Sequence, residues 1–275
     1  MVKVDIEKEI LKTLYESGNS SRKIAKILKC SQWTVLRNMR EHNILRRETS
    51  SYRIHTFNYN YFDIIDTEDK AYFMGFLWAD GFCDKNTGNV TITLQEEDGY
   101  ILEEFKKHIG YTGQIRWKDR ISKNRKPTYQ LQLMSKYLSN TLDSHGMVKA
   151  KSLILEFPVC IPDNLMNHFV RGYFDGDGSA FFSGKESGIS FCGTFSVLSN
   201  IKQKINETYN IEKGCLCERT KDKSPVKQLL FSGSNLVSLV RDYLYKDATI
   251  YLHRKYNILQ RVIIKRRRTL KHMEV

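Results

Sequence analysis

The chain has 275 residues, 41% hydrophobic and 27% charged, with 16 Gly and only 4 Pro. That balance excludes collagen-like and low-complexity chains, and at about 150 residues per domain it predicts two domains. Lys and Arg total 44 against 31 Asp and Glu, a net charge of +13 shared between residues 1–60 (+6) and 61–275 (+7), which suits a polyanionic partner such as nucleic acid.

No apolar run approaches the ~20 residues of a membrane helix. The longest, Ala71 to Ala79, has nine. The opening MVKVDIEKEI alternates charged and aliphatic residues, unlike a signal peptide, so a cytoplasmic, non-secreted protein with reduced thiols is expected. The six Cys form no C-x-x-C pair, which argues against structural zinc.

Ile6, Ile10, Leu11 and Leu14 predict a first helix ending near Gly18. Ser20 or Ser21 then caps a second, with Ile24, Ala25, Ile27 and Leu28 on its buried face. After a break at Cys30, where a glycine is more usual, Ser31 caps a third helix carrying Trp33, Val35, Leu36 and Met39. Three short helices with a tight break before the third resemble a helix-turn-helix DNA-binding module over residues 1–48. Gln32, Thr34, Arg37 and Asn38 are then the DNA-facing residues near the start of the third helix. Residues 49–66 read as a linker that turns from basic to aromatic, able to lie along DNA or to pack on the next domain.

Further on, AYFMGFLWADG at residues 71–81 is answered by HFVRGYFDGDG at 168–178, 97 residues later. Gly75 matches Gly172, Ala79 matches Gly176, and Asp80 matches Asp177. Each copy is followed by helix and strand patterns in the same order. Val90 to Gln95, Ile115 to Arg120 and Thr128 to Met134 read as strands of the first half, and Ile189 to Cys192 as a strand of the second. Gly75 with Ala79, and Gly172 with Gly176, make smooth i, i+4 stripes on which two helices can pack with their backbones close. Such packing brings Asp80 and Asp177 together at the C-terminal ends. Carboxylates there oppose the helix dipoles and repel one another, which points to a bound hard cation.

These two segments, each trailed by its own helix and strand patterns, resemble the motif of the LAGLIDADG homing endonucleases in their single-chain, two-motif form. The resemblance covers about residues 67–260. It implies an α+β fold of two pseudosymmetric αββαββα repeats with antiparallel DNA-binding sheets, over 67–162 and 163–275, beside the small all-α N-terminal module. It further implies a monomeric, Mg²⁺- or Mn²⁺-dependent endonuclease that cuts both strands of a long nonpalindromic DNA site. Such an enzyme serves intron homing of a mobile genetic element, in a bacterial or phage-infected cell.

By the same resemblance Asp80 and Asp177 are metal ligands, joined by the backbone at Ala79 and Gly176, and Lys151 and Lys255 border the catalytic centre. Lys149 and Arg254 compete with those lysines for the role. Asp175, which aligns with Trp78, is given no essential role. Period-2 alternation turns Thr91, Thr93, Gln95, Arg116, Lys118, Gln130 and Gln132 outward toward DNA. The basic loop with Arg120, Arg125 and Lys126, and its counterpart over residues 219–227 with Arg219, Lys221 and Lys223, would track the phosphates, and Gln228 is a further DNA-binding residue. The second half alternates less cleanly. An RNA-binding intron maturase and a non-catalytic transcription regulator remain alternatives, and two intact aspartates weigh against the regulator.

Overall fold

The computed structural model describes residues 5–45, 55–119, 126–149, 153–184, 186–218 and 226–262. The chain divides into two compact units, Met1–Ile54 and His55–Val275. None of the helices among the described residues is long and apolar enough to cross a membrane.

The first unit holds α1 (Lys8–Glu16), α2 (Ser21–Ile27) and α3 (Gln32–Glu41) around Leu11, Ile24, Val35 and Met39. Ser20 and Ser31 are the caps, accepting from the backbone N–H of Lys23 and Thr34. The left-handed position of the α2–α3 turn falls on Lys29, at φ 47°, and not on Cys30. Cys30 instead donates its N–H to the Ala25 carbonyl. Ile27, expected on the buried face of α2, is exposed, and so are Ile10 and Trp33. Helical phase explains Trp33, because the buried face of α3 runs through Val35, Asn38 and Met39. The indole is 66% exposed, with the Arg37 guanidinium 5.3 Å above its ring.

The second unit is built twice over on one αββαββα pattern. The first copy comprises α4 (Glu68–Asp80), β1 (Phe82–Asp84), β2 (Asn89–Gln95), α5 (Gly99–Ile109), β3 (Arg116–Lys118), β4 (Thr128–Met134) and α6 (Lys136–Ser144). In the second, α7 (Met166–Asp177), β5 (Gly178–Phe182), β6 (Ser187–Gly193), α8 (Phe195–Tyr209), β7 (Cys215–Glu218), β8 (Lys227–Ser232) and α9 (Ser234–Tyr245) come in the same order. A further helical stretch occupies 253–262. Each copy makes a four-stranded antiparallel sheet, in the orders β1-β2-β4-β3 and β5-β6-β8-β7.

One core serves both copies. Val90, Ile92, Leu94, Leu131 and Leu133 line the inner face of the first sheet, and Ile189, Phe191, Leu229 and Phe231 that of the second. Every residue from Ala71 to Ala79 of α4 is buried, as a helix apolar on all sides must be. The aromatic stretch before α4 belongs to this core too: Phe57, Tyr61, Phe62 and Ile65 are buried in it. That chain is tied to the end of α5 by the Asn58 N–H on the Ile109 carbonyl.

Candidate active site and nucleic-acid interface

α4 and α7 cross backbone to backbone, and the glycines explain how. A β-carbon on Gly75 would stand 2.0 Å from the Phe169 carbonyl oxygen. One on Gly172 would stand 1.9 Å from the Tyr72 carbonyl oxygen, so the two contacts are reciprocal. Further along, Gly176 lies against Ala79, where a β-carbon would be 2.3 Å from that of Ala79 and 3.4 Å from Asp80 Oδ2. All four small residues therefore stand at the crossing, with no room for larger ones.

The crossing carries Asp80 and Asp177, both exposed, to neighbouring helix ends. Tyr173, whose hydroxyl donates to the Cys192 carbonyl at 2.8 Å, senses both. Its pKa is pushed up by burial first, then by the charges of Asp177 and, less strongly, Asp80. Two carboxylates close to one buried phenol, at helix ends that disfavour anions, form a concentrated negative site. Among the described residues, no group of three or more His, Cys, Asp or Glu is placed to hold a metal ion.

Lys255 stands beside Asp177, on the carbonyls of Gly176 and Gly178 that flank it, but it reaches them from inside the protein. It is 2% exposed, and its ammonium donates to the carbonyls of Phe174, Asp175 and Gly178 at 2.6, 2.8 and 2.6 Å, with Gly176 at 3.4 Å. These carbonyls cluster at the end of α7, where that of Phe174 also accepts the Gly178 N–H, so the lysine acts as a cationic cap. Burial lowers its pKa to about 8 against the opposing pull of Asp175. Lys151 lies outside the described residues. Its competitor Lys149 is paired with Asp84 at 2.9 Å, and Arg254 grips Asp98 with two nitrogens at 2.8–3.1 Å.

Local sequence patterns do not reveal the supports behind the site. Asp175 is fully buried, and its Oδ2 accepts from the Tyr72 hydroxyl at 2.9 Å and the Leu252 N–H at 2.8 Å. Desolvation pushes its pKa up to about 6. The aligned Trp78 donates its indole N–H to the Glu156 carbonyl at 3.1 Å. Equivalent helix positions thus anchor the chain segment after each half, one through a donor and the other through an acceptor. Arg171, inside the apolar run of α7, is also fully buried. It pairs with Glu68 at 2.6 Å and donates to His168 Nδ1 and to the carbonyls of Leu244 and Ile250. A charged residue within HFVRGYF was the available signal.

On the first sheet the outward positions carry a hydrogen-bonded polar face. Gln130 donates to Thr93, Gln132 to Asn89, and Arg116 to Gln132. Arg116 and Gln95 are exposed, and Lys118, Thr93, Gln130 and Gln132 are half-buried. Thr91 is a correction: it is buried, with its hydroxyl on Asn89 Oδ1. Lys126 is exposed, 3.9 Å from Glu97. Arg120, Arg125, Arg219, Lys221 and Lys223 lie outside the described residues. Gln228 is a strand residue on the second sheet's outward face, paired in register with Cys192 and Cys217.

In the N-terminal unit Gln32 is exposed and bonded to Ser21 and Arg22, while Thr34 is bonded to Ser31. Arg37 is largely covered, 3.9 Å from Asp5 and 3.7 Å from Glu41. Asn38 contradicts its expected role. It is fully buried, accepting from the Ile6 N–H at 3.0 Å and donating to the Thr34 carbonyl at 2.9 Å, so it joins α3 to the chain before α1.

A scan against protein-family models finds no match. The uncharacterised protein MJ0314 of Methanocaldococcus jannaschii is 29% identical, over 75% of this chain and 96% of that protein. Among solved structures, the LAGLIDADG homing endonuclease I-LtrWI bound to target DNA aligns with a TM-score of 0.51 at 11% identity, over 74% of this chain and 91% of its own. WhiA from Thermatoga maritima aligns with a TM-score of 0.48 at 15% identity, over 79% of this chain and 70% of its own. The α+β fold with its two four-stranded antiparallel sheets is thus the two-repeat LAGLIDADG fold.

Proposed function

We propose that this protein is a monomeric, site-specific endonuclease that cuts both strands of a long nonpalindromic DNA duplex, as homing endonucleases of mobile elements do. One observation carries the reading: glycine-mediated crossing of α4 and α7 places Asp80 and Asp177 at neighbouring helix ends, in a chain with a net charge of +13.

Carboxylate and carbonyl oxygens are hard donors, so the residues present fit Mg²⁺ or Mn²⁺. Asp80 and Asp177 would hold the metal, with the backbone at Ala79 and Gly176 beside them. When bound, such an ion activates water and neutralises charge on the phosphate. The protein's own groups do the rest. Lys255 fixes the end of α7 and so aims Asp177, although its contact with the Gly176 carbonyl leaves that oxygen one lone pair for a metal. The two sheets orient the duplex by its base edges. The three-helix unit acts as a helix-turn-helix, adding affinity at one flank through Gln32 and the start of α3.

The test is incubation of the purified protein with a randomised duplex library, with Mg²⁺ or with EDTA, and then sequencing of the ends. Mg²⁺-dependent ends at one long nonpalindromic sequence are expected. Enrichment of a bound sequence without cleavage would replace this reading with a non-catalytic DNA-binding protein. Absence of both would turn attention to intron RNA as the ligand.

A further inference from the structure

The two sheets follow the same helix in the same order, yet their outward faces differ chemically. On the second sheet the cross-strand registers set Ser190 beside Leu230 and Leu230 beside Cys215, with Cys192 and Cys217 flanking Gln228. Ala180, Phe182 and Leu216 pack on the core, which leaves Phe181, Leu230 and the three thiols on the opposite face. Phe181 is 43% exposed, and its ring lies across Gly188, where a β-carbon would be 2.2 Å from a ring carbon. Among the described residues, the outward positions of β5–β8 carry no Lys or Arg.

We infer that the second sheet reads A·T base pairs through thymine methyl groups and that the first sheet reads guanine-containing steps. This rests on the endonuclease reading, since it names which bases each sheet prefers. The thymine methyl is the one apolar group on the major-groove edges, and it is met by apolar side chains. Leu230, Phe181 and Cys215 offer such a surface. Gln228 is the one side chain among them with the paired donor and acceptor that suit adenine. Guanine is met most often by Arg or Lys, which among the described residues stand at outward strand positions of the first sheet alone, as Arg116 and Lys118. The occupant is DNA and not a protein, because the loop joining β7 to β8 carries Arg219, Lys221 and Lys223 for a polyanion.

The test uses the full chain and the duplex that it enriches from a randomised library without cleaving metal. Thymines in each half of that duplex are replaced by uracil, which lacks only the methyl. Affinity should fall about fourfold per contacted methyl in one half, the worth of one buried methyl group, and stay unchanged in the other. Arg116→Gln should relax base preference in the half that ignores uracil. Leu230→Arg should bring guanine into the uracil-sensitive half, and Leu230→Ser should remove that sensitivity. Equal affinity for the uracil duplex in both halves overturns the assignment even if neither Leu230 variant folds. So does an unchanged selected sequence with Leu230→Arg. Failure to enrich any duplex removes the DNA reading itself, and this assignment with it.

Discussion

In the first half of the larger unit, the outward strand positions carry Thr93, Gln95, Arg116, Gln130 and Gln132, and in the second the corresponding face carries Phe181, Cys192, Cys215, Gln228 and Leu230. Beneath both faces the strand order is the same and the inner residues are aliphatic or aromatic. The motif helices repeat this contrast on a smaller scale. Gly75 and Gly172 make the same close approach, whereas the residue before each is Met74 in one and the buried, charged Arg171 in the other. A duplicated architecture is held where backbones touch, and is free to change where a side chain meets solvent or a separate partner. Each half has thereby its own surface chemistry on a shared frame.

The largest effects should come from the crossing itself. Gly75→Ala and Gly172→Ala each place a methyl where a carbonyl oxygen stands, and each should destabilise by about 3 kcal/mol or more, measured by chemical unfolding. Similar losses would confirm the reciprocity, and a marked inequality would break it. Next comes the asymmetric neighbour. Arg171→Met copies the first half but takes the buried cation from Glu68, which keeps its hydrogen bonds from Thr249 and Ile250, at a cost of about 3 kcal/mol. Combining it with Glu68→Gln should recover much of that loss, and failure to recover would mean that Arg171 acts mainly through the Leu244 and Ile250 carbonyls. A smaller effect is expected at the helix end, where Lys255→Met should cost about 2–3 kcal/mol by taking the ammonium donor from the carbonyls gathered there. Lys149→Met should hardly move the melting temperature, because that side chain is 59% exposed.

Much of this was legible in the sequence wherever a residue's role depends on its own neighbours. The repeated Gly-x-x-x-small-Asp spacing located both motif helices, the close crossing and the paired aspartates. Strict alternation located β2 and β4. The second sheet was harder because Leu229 and Leu230 sit side by side on opposite faces, and small Gly, Ser and Cys residues blur the period. Asn38 was misread although its spacing from Val35 already put it on the buried face of α3. Lys255 and Asp175 are a different matter. Their roles depend on the chain returning past α9 to meet the end of α7, and no local pattern announces that.

The central claim is that Asp80 and Asp177 act as one cutting centre. Its most direct test is cleavage of the selected duplex by Asp80→Asn and Asp177→Asn in Mg²⁺, with affinity measured on the same DNA. Loss of double-strand breaks in both variants, with binding retained, is the predicted result. Full cleavage by both would contradict the claim.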